Sequence, residues 1–223
     1  MDNFGKQFQK DDEKSRIRFS QSGIRFKTIC HKCNNKLHDY DRKLAEFSHS
    51  IHNELIKNLS NPQFNEVEID CYPNAVMRSI LGHLLSAKIE TDNVVIDKSI
   101  RSFIFDDSKS ISEKVNVYYW FYPYVNVKIA RDFVRMFSDK QFGFNSVIKF
   151  PPVGYLITDV PNIRGLENLN DFKSKKPNYK TKIKLMLRPF NQEDWPEGVA
   201  DNYNPFIAFG KSFCNSLVAK PKK

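Results

Sequence analysis

The sequence predicts an α+β fold, with a helical N-terminal segment bearing a zinc-knuckle-like turn ahead of a mostly antiparallel, β-rich domain. Three observations lead there. Apolar residues recur at steps of three and four from Leu37 to Leu55, and a second, almost wholly apolar stretch follows Pro73. From about residue 100 onward the chain changes to short segments thick with Val, Ile, Tyr and Phe, broken by polar or Pro/Gly stretches.

Residues 1–22 are polar, carry both signs of charge and lack periodicity, which predicts an irregular lead-in. Ile24, Phe26 and Ile29 alternate with polar neighbours and predict a short strand over 24–29. Cys30-His31-Lys32-Cys33 follows, then the turn-forming pair Asn34-Asn35. Leu37, Tyr40, Leu44, Phe47, Ile51 and Leu55 place one apolar stripe on a helix over 37–59, which Asn61-Pro62 ends. Val67, Ile69 and Cys71 alternate as a strand. Pro73 suits the first position of a second helix running to about residue 88, and its mid-helix Gly82 marks close packing against a neighbour. Strands are predicted over 100–105, 115–124, 146–150, 154–157 and 183–187. Residues 127–136 fit a strand or a helix, and 195–219 show no clear period. The expected organisation is a first unit over 1–62 and an α+β domain over 63–223.

With 223 residues and 40% hydrophobic content, the chain has enough apolar material for a sizeable core. It contains no apolar run of the roughly 20 residues a transmembrane helix needs, and its polar start is unlike a secretory signal. Four cysteines (Cys30, Cys33, Cys71, Cys214) in such a chain do not read as a disulfide framework. The expectation is a reduced, cytoplasmic protein with metal-binding cysteines. The net charge of +9 points to a polyanionic partner, nucleic acid before an anionic membrane surface. Seven basic residues without an acid (Lys173, Lys175, Lys176, Lys180, Lys182, Lys184 and Arg188), interleaved with Tyr179, form the candidate phosphate-contacting segment.

Two cysteines separated by two residues can aim both sulfurs at one metal ion, and Cys30 and Cys33 are the candidate ligands. That is half of a tetrahedral set. The remaining donors are sought among His31, His38, His49, His52, Cys71 and Cys214, with His38 preferred because it is nearest in sequence and outside the pair. His83, within an apolar helix, reads as a hydrogen-bonded core histidine. Asp39 and Asp41 read as helix-dipole partners, and Asp106-Asp107 as turn formers.

The run Cys30-His31-Lys32-Cys33-Asn34, with Leu37 and Tyr40-Asp41 in the helix behind it, resembles the second half of the zinc-knuckle His-Asn-His (HNH) endonucleases. The likeness covers roughly residues 24–50. It implies that Cys30 and Cys33 hold a structural zinc and that Asn34 orients the active-site loop. It further implies a divalent ion such as magnesium at the scissile phosphate if the chain is catalytic. The family's other C-x-x-C and its general-base histidine lie upstream, and residues 1–29 contain neither Cys nor His. The expectation is therefore a truncated or degenerate relative that binds nucleic acid, DNA rather than RNA, with His31 and His38 as the only nearby stand-ins for a catalytic base. The rival expectation is a metal-stabilised protein-interaction module without catalysis, using Tyr118, Tyr119, Trp120, Tyr122 and Tyr124 as exposed rings.

Overall fold

A computed structural model of the chain describes residues 30–59, 65–87, 95–137, 142–187, 193–198, 207–209 and 217–219. The predicted strand over 24–29 lies outside them. The architecture is α+β, with helices preceding antiparallel sheets.

Helix α1 spans His31–Leu59. Its stripe of Leu37, Tyr40, Leu44, Phe47 and Ile51 is buried, each residue contributing roughly 1.5–3 kcal/mol of apolar burial. Strand β1, Glu66–Cys71, alternates exposed acids with buried Val67, Ile69 and Cys71. Helix α2, Pro73–Ser86, starts on the proline and is buried around most of its circumference. A Cβ at Gly82 would overlap the Leu37 side chain, so the missing side chain lets α1 and α2 approach closely.

Helix α3, Val95–Phe105, corrects the strand expected over 100–105. Ile100, Phe103 and Ile104 are buried at i, i+3 and i+4, a helical face that a short apolar run conceals. Strands β2 (Asn116–Phe121), β3 (Val127–Met136), β4 (Phe142–Phe150), β5 (Val153–Thr158) and β6 (Glu167–Asn168) follow, then a 3-10 turn at Asn170–Phe172. Strand β7, Thr181–Met186, comes next, with β8 (Ile207–Phe209) and β9 (Leu217–Ala219) last. The sheet order is β6-β2-β5-β4-β3-β8, with β9 also on β3. β8 and β9 pair with opposite ends of β3, either side of a bulge between Ala130 and Phe133 where Asp132 has φ 59°. β1 and β7 form a separate antiparallel ribbon.

Both faces of the large sheet are covered. Val117 and Tyr119 of β2 join the core shared by α1, α2, α3 and the ribbon, while Tyr118 and Trp120 join a second cluster with Phe133, Leu156 and Trp195. The boundary expected near residue 62 thus separates elements that share one core. Of the rings expected to be exposed, Tyr118, Tyr119, Trp120 and Tyr122 are buried and Tyr124 is half-buried, which removes the support for an aromatic interaction face. No helix among the described residues is long and apolar enough to cross a membrane.

Arg78 on α2 is fully buried and joins these layers. Its guanidinium donates to Asn74 Oδ1 at 2.7 Å and to the backbone carbonyls of Phe103, Asp106 (3.2 Å) and Lys109 (3.2 Å), and it lies 3.9 Å from the Phe103 ring centroid. Replacing it with Met would leave buried carbonyls unsatisfied. Arg78→Met should destabilise the fold by about 3–5 kcal/mol in urea unfolding, with Arg78→Lys recovering less than half, because one ammonium cannot match a fork of five donors.

Candidate functional site

The C-x-x-C pair does not form a separate turn ahead of the helix. Cys30 sits at the N-cap position: its carbonyl accepts the first helical bond from Asn34 N–H at 2.9 Å, and its sulfur accepts from Cys33 N–H at 3.3 Å. The helix therefore begins six residues before the expected Leu37, with Asn34 and Asn35 inside it. Capping by a thiol explains how an Asn pair that favours turns is held in a helix.

This placement brings the two sulfurs to 2.7 Å, with Cys30 exposed and Cys33 half-buried. The Cys33 thiol and N–H stabilise the Cys30 thiolate and lower its pKa. The same hydrogen bond, with burial, raises that of Cys33. Binding a soft cation requires both thiols to lose their protons, and the lowered pKa of Cys30 favours the first of those losses. Two sulfurs on one tetrahedral zinc stand about 3.8 Å apart, so a side-chain rotation that opens the pair by ~1 Å fits half of such a site.

The other half is not assembled from the described residues, among which no group of three His, Cys, Asp or Glu could hold a metal ion. His38 is exposed and lies five residues past Cys33, roughly 140° further around α1, so it does not close the set. His31 is exposed, with Nδ1 3.4 Å from the Asn35 amide. His38 acts on the Asp41 carboxylate through space, but among the described residues no carboxylate hydrogen-bonds to either histidine to orient it as a base. Asn34 is exposed on the first turn. Cys71 is buried in the core, where desolvation pushes its thiol far above the ordinary range, and it is no ligand. Cys214 lies outside the described residues.

The basic segment is divided by the fold. Lys173 is buried, its ammonium directed at the carbonyl of Glu113 (3.3 Å) and at Asn116 Oδ1 (3.4 Å), which corrects its assignment to a phosphate-contacting surface. Lys180 pairs with Asp70 at 3.0 Å and Lys184 with Glu66 at 2.9 Å across the β1–β7 ribbon. Lys175, Lys176 and Lys182 are exposed, Lys182 lying opposite Asp70 in the register. Arg188 lies outside the described residues. A run without acids in sequence is thus partly neutralised by β1.

Two residues read as unremarkable prove to be linked. Asp41, half-buried on a flank of α1, accepts from Ser79 Oγ at 2.5 Å and lies 3.1 Å from His83 Nε2, both on α2. Ser79 and His83 both address the carboxylate rather than each other, so the trio is an inter-helix tie and not a nucleophile–base pair. Nothing local in the sequence marks it, because Asp41 and His83 are 42 residues apart. Asp107 likewise exceeds its expected turn role, accepting from Tyr40 Oη at 2.5 Å and Lys36 Nζ at 3.0 Å. Asp106 keeps that role, accepting from the backbone and hydroxyl of Ser108.

No protein-family model, no curated protein and no solved structure matches the chain.

Two outcomes follow for the thiols and the carboxylate. Peptide mapping after timed iodoacetamide treatment should find Cys30 alkylated first and Cys71 protected until the chain unfolds. For Asp41, burial would raise the pKa, but the contacts from His83 and Ser79 outweigh it and hold the value below the ordinary range. A carboxyl depressed by folding stabilises above its unfolded value near pH 3.9 and loses that contribution as pH falls through the folded value. Between pH 6 and pH 3, Asp41→Asn should lose less stability than the parent chain in urea titrations.

Proposed function

We propose that the chain binds nucleic acid as a relative of the HNH endonucleases, with Cys30 and Cys33 holding one edge of a structural zinc site at the start of α1. The observation that carries this reading is the convergence of two thiols, one exposed and one half-buried, at the first turn of a 29-residue helix, with Asn34 immediately behind them. The donors completing the zinc set come from outside the described residues or from a second copy. Zinc would fix the entry to α1, and the helix would lie along the phosphate backbone.

The charge distribution supports the same partner in a changed form. Segment 173–188 is partly neutralised, whereas residues 1–29 hold seven basic residues against four acids and residues 199–223 hold four lysines against one aspartate. The terminal segments therefore carry much of the excess positive charge. Binding, rather than phosphodiester hydrolysis, is the activity proposed, because among the described residues no carboxylate hydrogen-bonds to His31 or His38, and Asp41 is committed to Ser79 and His83.

Zinc measured on the purified chain should approach one per chain, or one per two chains where a second copy completes the set, and fall to background in Cys30→Ser/Cys33→Ser. Fluorescence anisotropy with a labelled 20-base-pair duplex should show affinity that falls linearly with salt on a log–log plot. An absence of salt-dependent DNA or RNA binding at low ionic strength would end this reading.

A further inference from the structure

At 3.6 residues per turn, the exposed side of α1 includes a sector roughly 80° wide that runs from His52 to Arg42. His31, His38, Arg42, His49 and His52 all fall in that sector, and all are exposed. The chain has five histidines, so four of them share one exposed stripe. No acid falls between them, although Asp41 lies about 20° beyond His52 and Glu46 about 40° beyond Arg42 on the same wheel. The four acids of α1 lie on its flanks or core side, each within ion-pair distance of a cation: Asp39 with Arg42 (a loose 3.9 Å), Asp41 with His83, Glu46 with Lys43 (2.9 Å) and Glu54 with Lys57 (2.6 Å). No ion pair among the described residues engages the stripe's histidines.

We infer that the part of this stripe running from His38 to His52, and not His31 beside the cysteine pair, is the surface of α1 that meets the phosphate backbone, and that it makes nucleic-acid binding tighten as pH falls from 7.5 to 5.5. The inference rests on the nucleic-acid reading above and names the surface and its regulation. Neutral imidazole donates one hydrogen bond to a phosphate oxygen. Protonated imidazole donates from either nitrogen with a full charge, and such charge-assisted bonds are about twice as strong. Imidazole as a class changes charge between pH 5 and 8, so each phosphate contact favours proton uptake and low pH favours the complex. From His38 to His52 the helix rises about 21 Å, enough to follow about six phosphates of one strand by axial rise.

Of the charged groups around this face, Asp41 attracts His38 as well as His83, and the others are engaged elsewhere. His83 of α2 is engaged with Asp41, Asp107 after α3 is engaged with Lys36 and Tyr40, and Lys180 is paired with Asp70. Arg101 of α3 acts on Cys33. A membrane surface fits less well, because the apolar side of α1 is buried in the core and the exposed stripe offers only Ile56 for insertion.

The test is anisotropy with labelled duplex and single-stranded 20-mers at pH 7.5, 6.5 and 5.5 and constant ionic strength. The parent chain is compared with the combined variant His38→Gln, His49→Gln, His52→Gln, whose helix content is checked by circular dichroism. His31 is kept because it adjoins the cysteine pair. The parent should tighten at least tenfold from pH 7.5 to 5.5, with its salt slope growing by up to about 2.7 as three more phosphates are neutralised. The variant should tighten less than threefold. Binding that ignores pH, or a variant that keeps the tenfold rise, overturns the inference while leaving nucleic-acid binding intact. No binding at any pH overturns both. Stronger binding at pH 5.5 to phosphatidylserine vesicles than to either 20-mer also overturns it.

Discussion

A guanidinium with no solvent exposure must find acceptors inside the protein, and most of the helical layer follows from how Arg78 finds them. The carbonyls it uses come from the end of α3 and the loop after it, so that loop cannot move without stranding a buried charge. Asn74, which accepts from Arg78, donates in turn to the carbonyls of Phe172 and Lys173 and so ties the loop before β7 to the same helix. Desolvation weakens the guanidinium's hold on its proton, and the carboxylate and phenol of Asp107 and Tyr40 work against that tendency. Through Asp107 the network reaches Tyr40 and Lys36, one turn from the cysteine pair. The entry to α1 is thereby fixed by a residue far from it in sequence.

A comparable constraint operates on the other side of the large sheet. Lys149 is buried and bonded to the carbonyl of Glu193 and, at 2.5 Å, to Glu197, while Lys128 pairs with Asp194 and Glu193. Burial lowers the pKa of Lys149 and raises that of Glu197, each opposed by the attraction of its partner. Removing either group alone would leave the other charged and dry. The segment 193–198 is thus held against β3 and β4 by charge, and Trp195 completes the cover by meeting Trp120 edge-on at 5.2 Å.

What was legible in the sequence depended on how local its cause was. The stripe of α1 could be read because Leu37, Tyr40, Leu44, Phe47 and Ile51 repeat within one element, and Pro73 marked the start of α2 for a similar reason. Gly82, a small residue inside an apolar helix, marks a point of close approach, and Leu37 is what it approaches. The first turn of α1 is hidden in the sequence because Asn34-Asn35 favours a turn until a thiol caps the helix. In α3, Ile100, Phe103 and Ile104 form so short an apolar cluster that a strand and a helix predict the same letters. The pairing of the basic segment is hidden for a different reason. The acids that answer Lys180 and Lys184 sit on β1, more than a hundred residues earlier, and no window of sequence holds both strands. Of the candidate site, the cysteine pair could be named, but the Asp41–His83 tie beside it depends on α1 and α2 lying together.

The β1–β7 ribbon joins Cys71 to Thr181 and Glu66 to Met186, so its register closes a loop containing α2, α3 and most of the large sheet. Closing such a loop costs chain entropy before any of its hydrogen bonds form. The ribbon is therefore expected to zip late, once the enclosed elements have brought its ends together, and slow folding is the ordinary price of so high a contact order. One kinetic outcome is a chain released from the ribosome with β1 waiting for a partner made more than a hundred residues later. Its alternating acids, facing outward, keep that unpaired edge soluble in the interval.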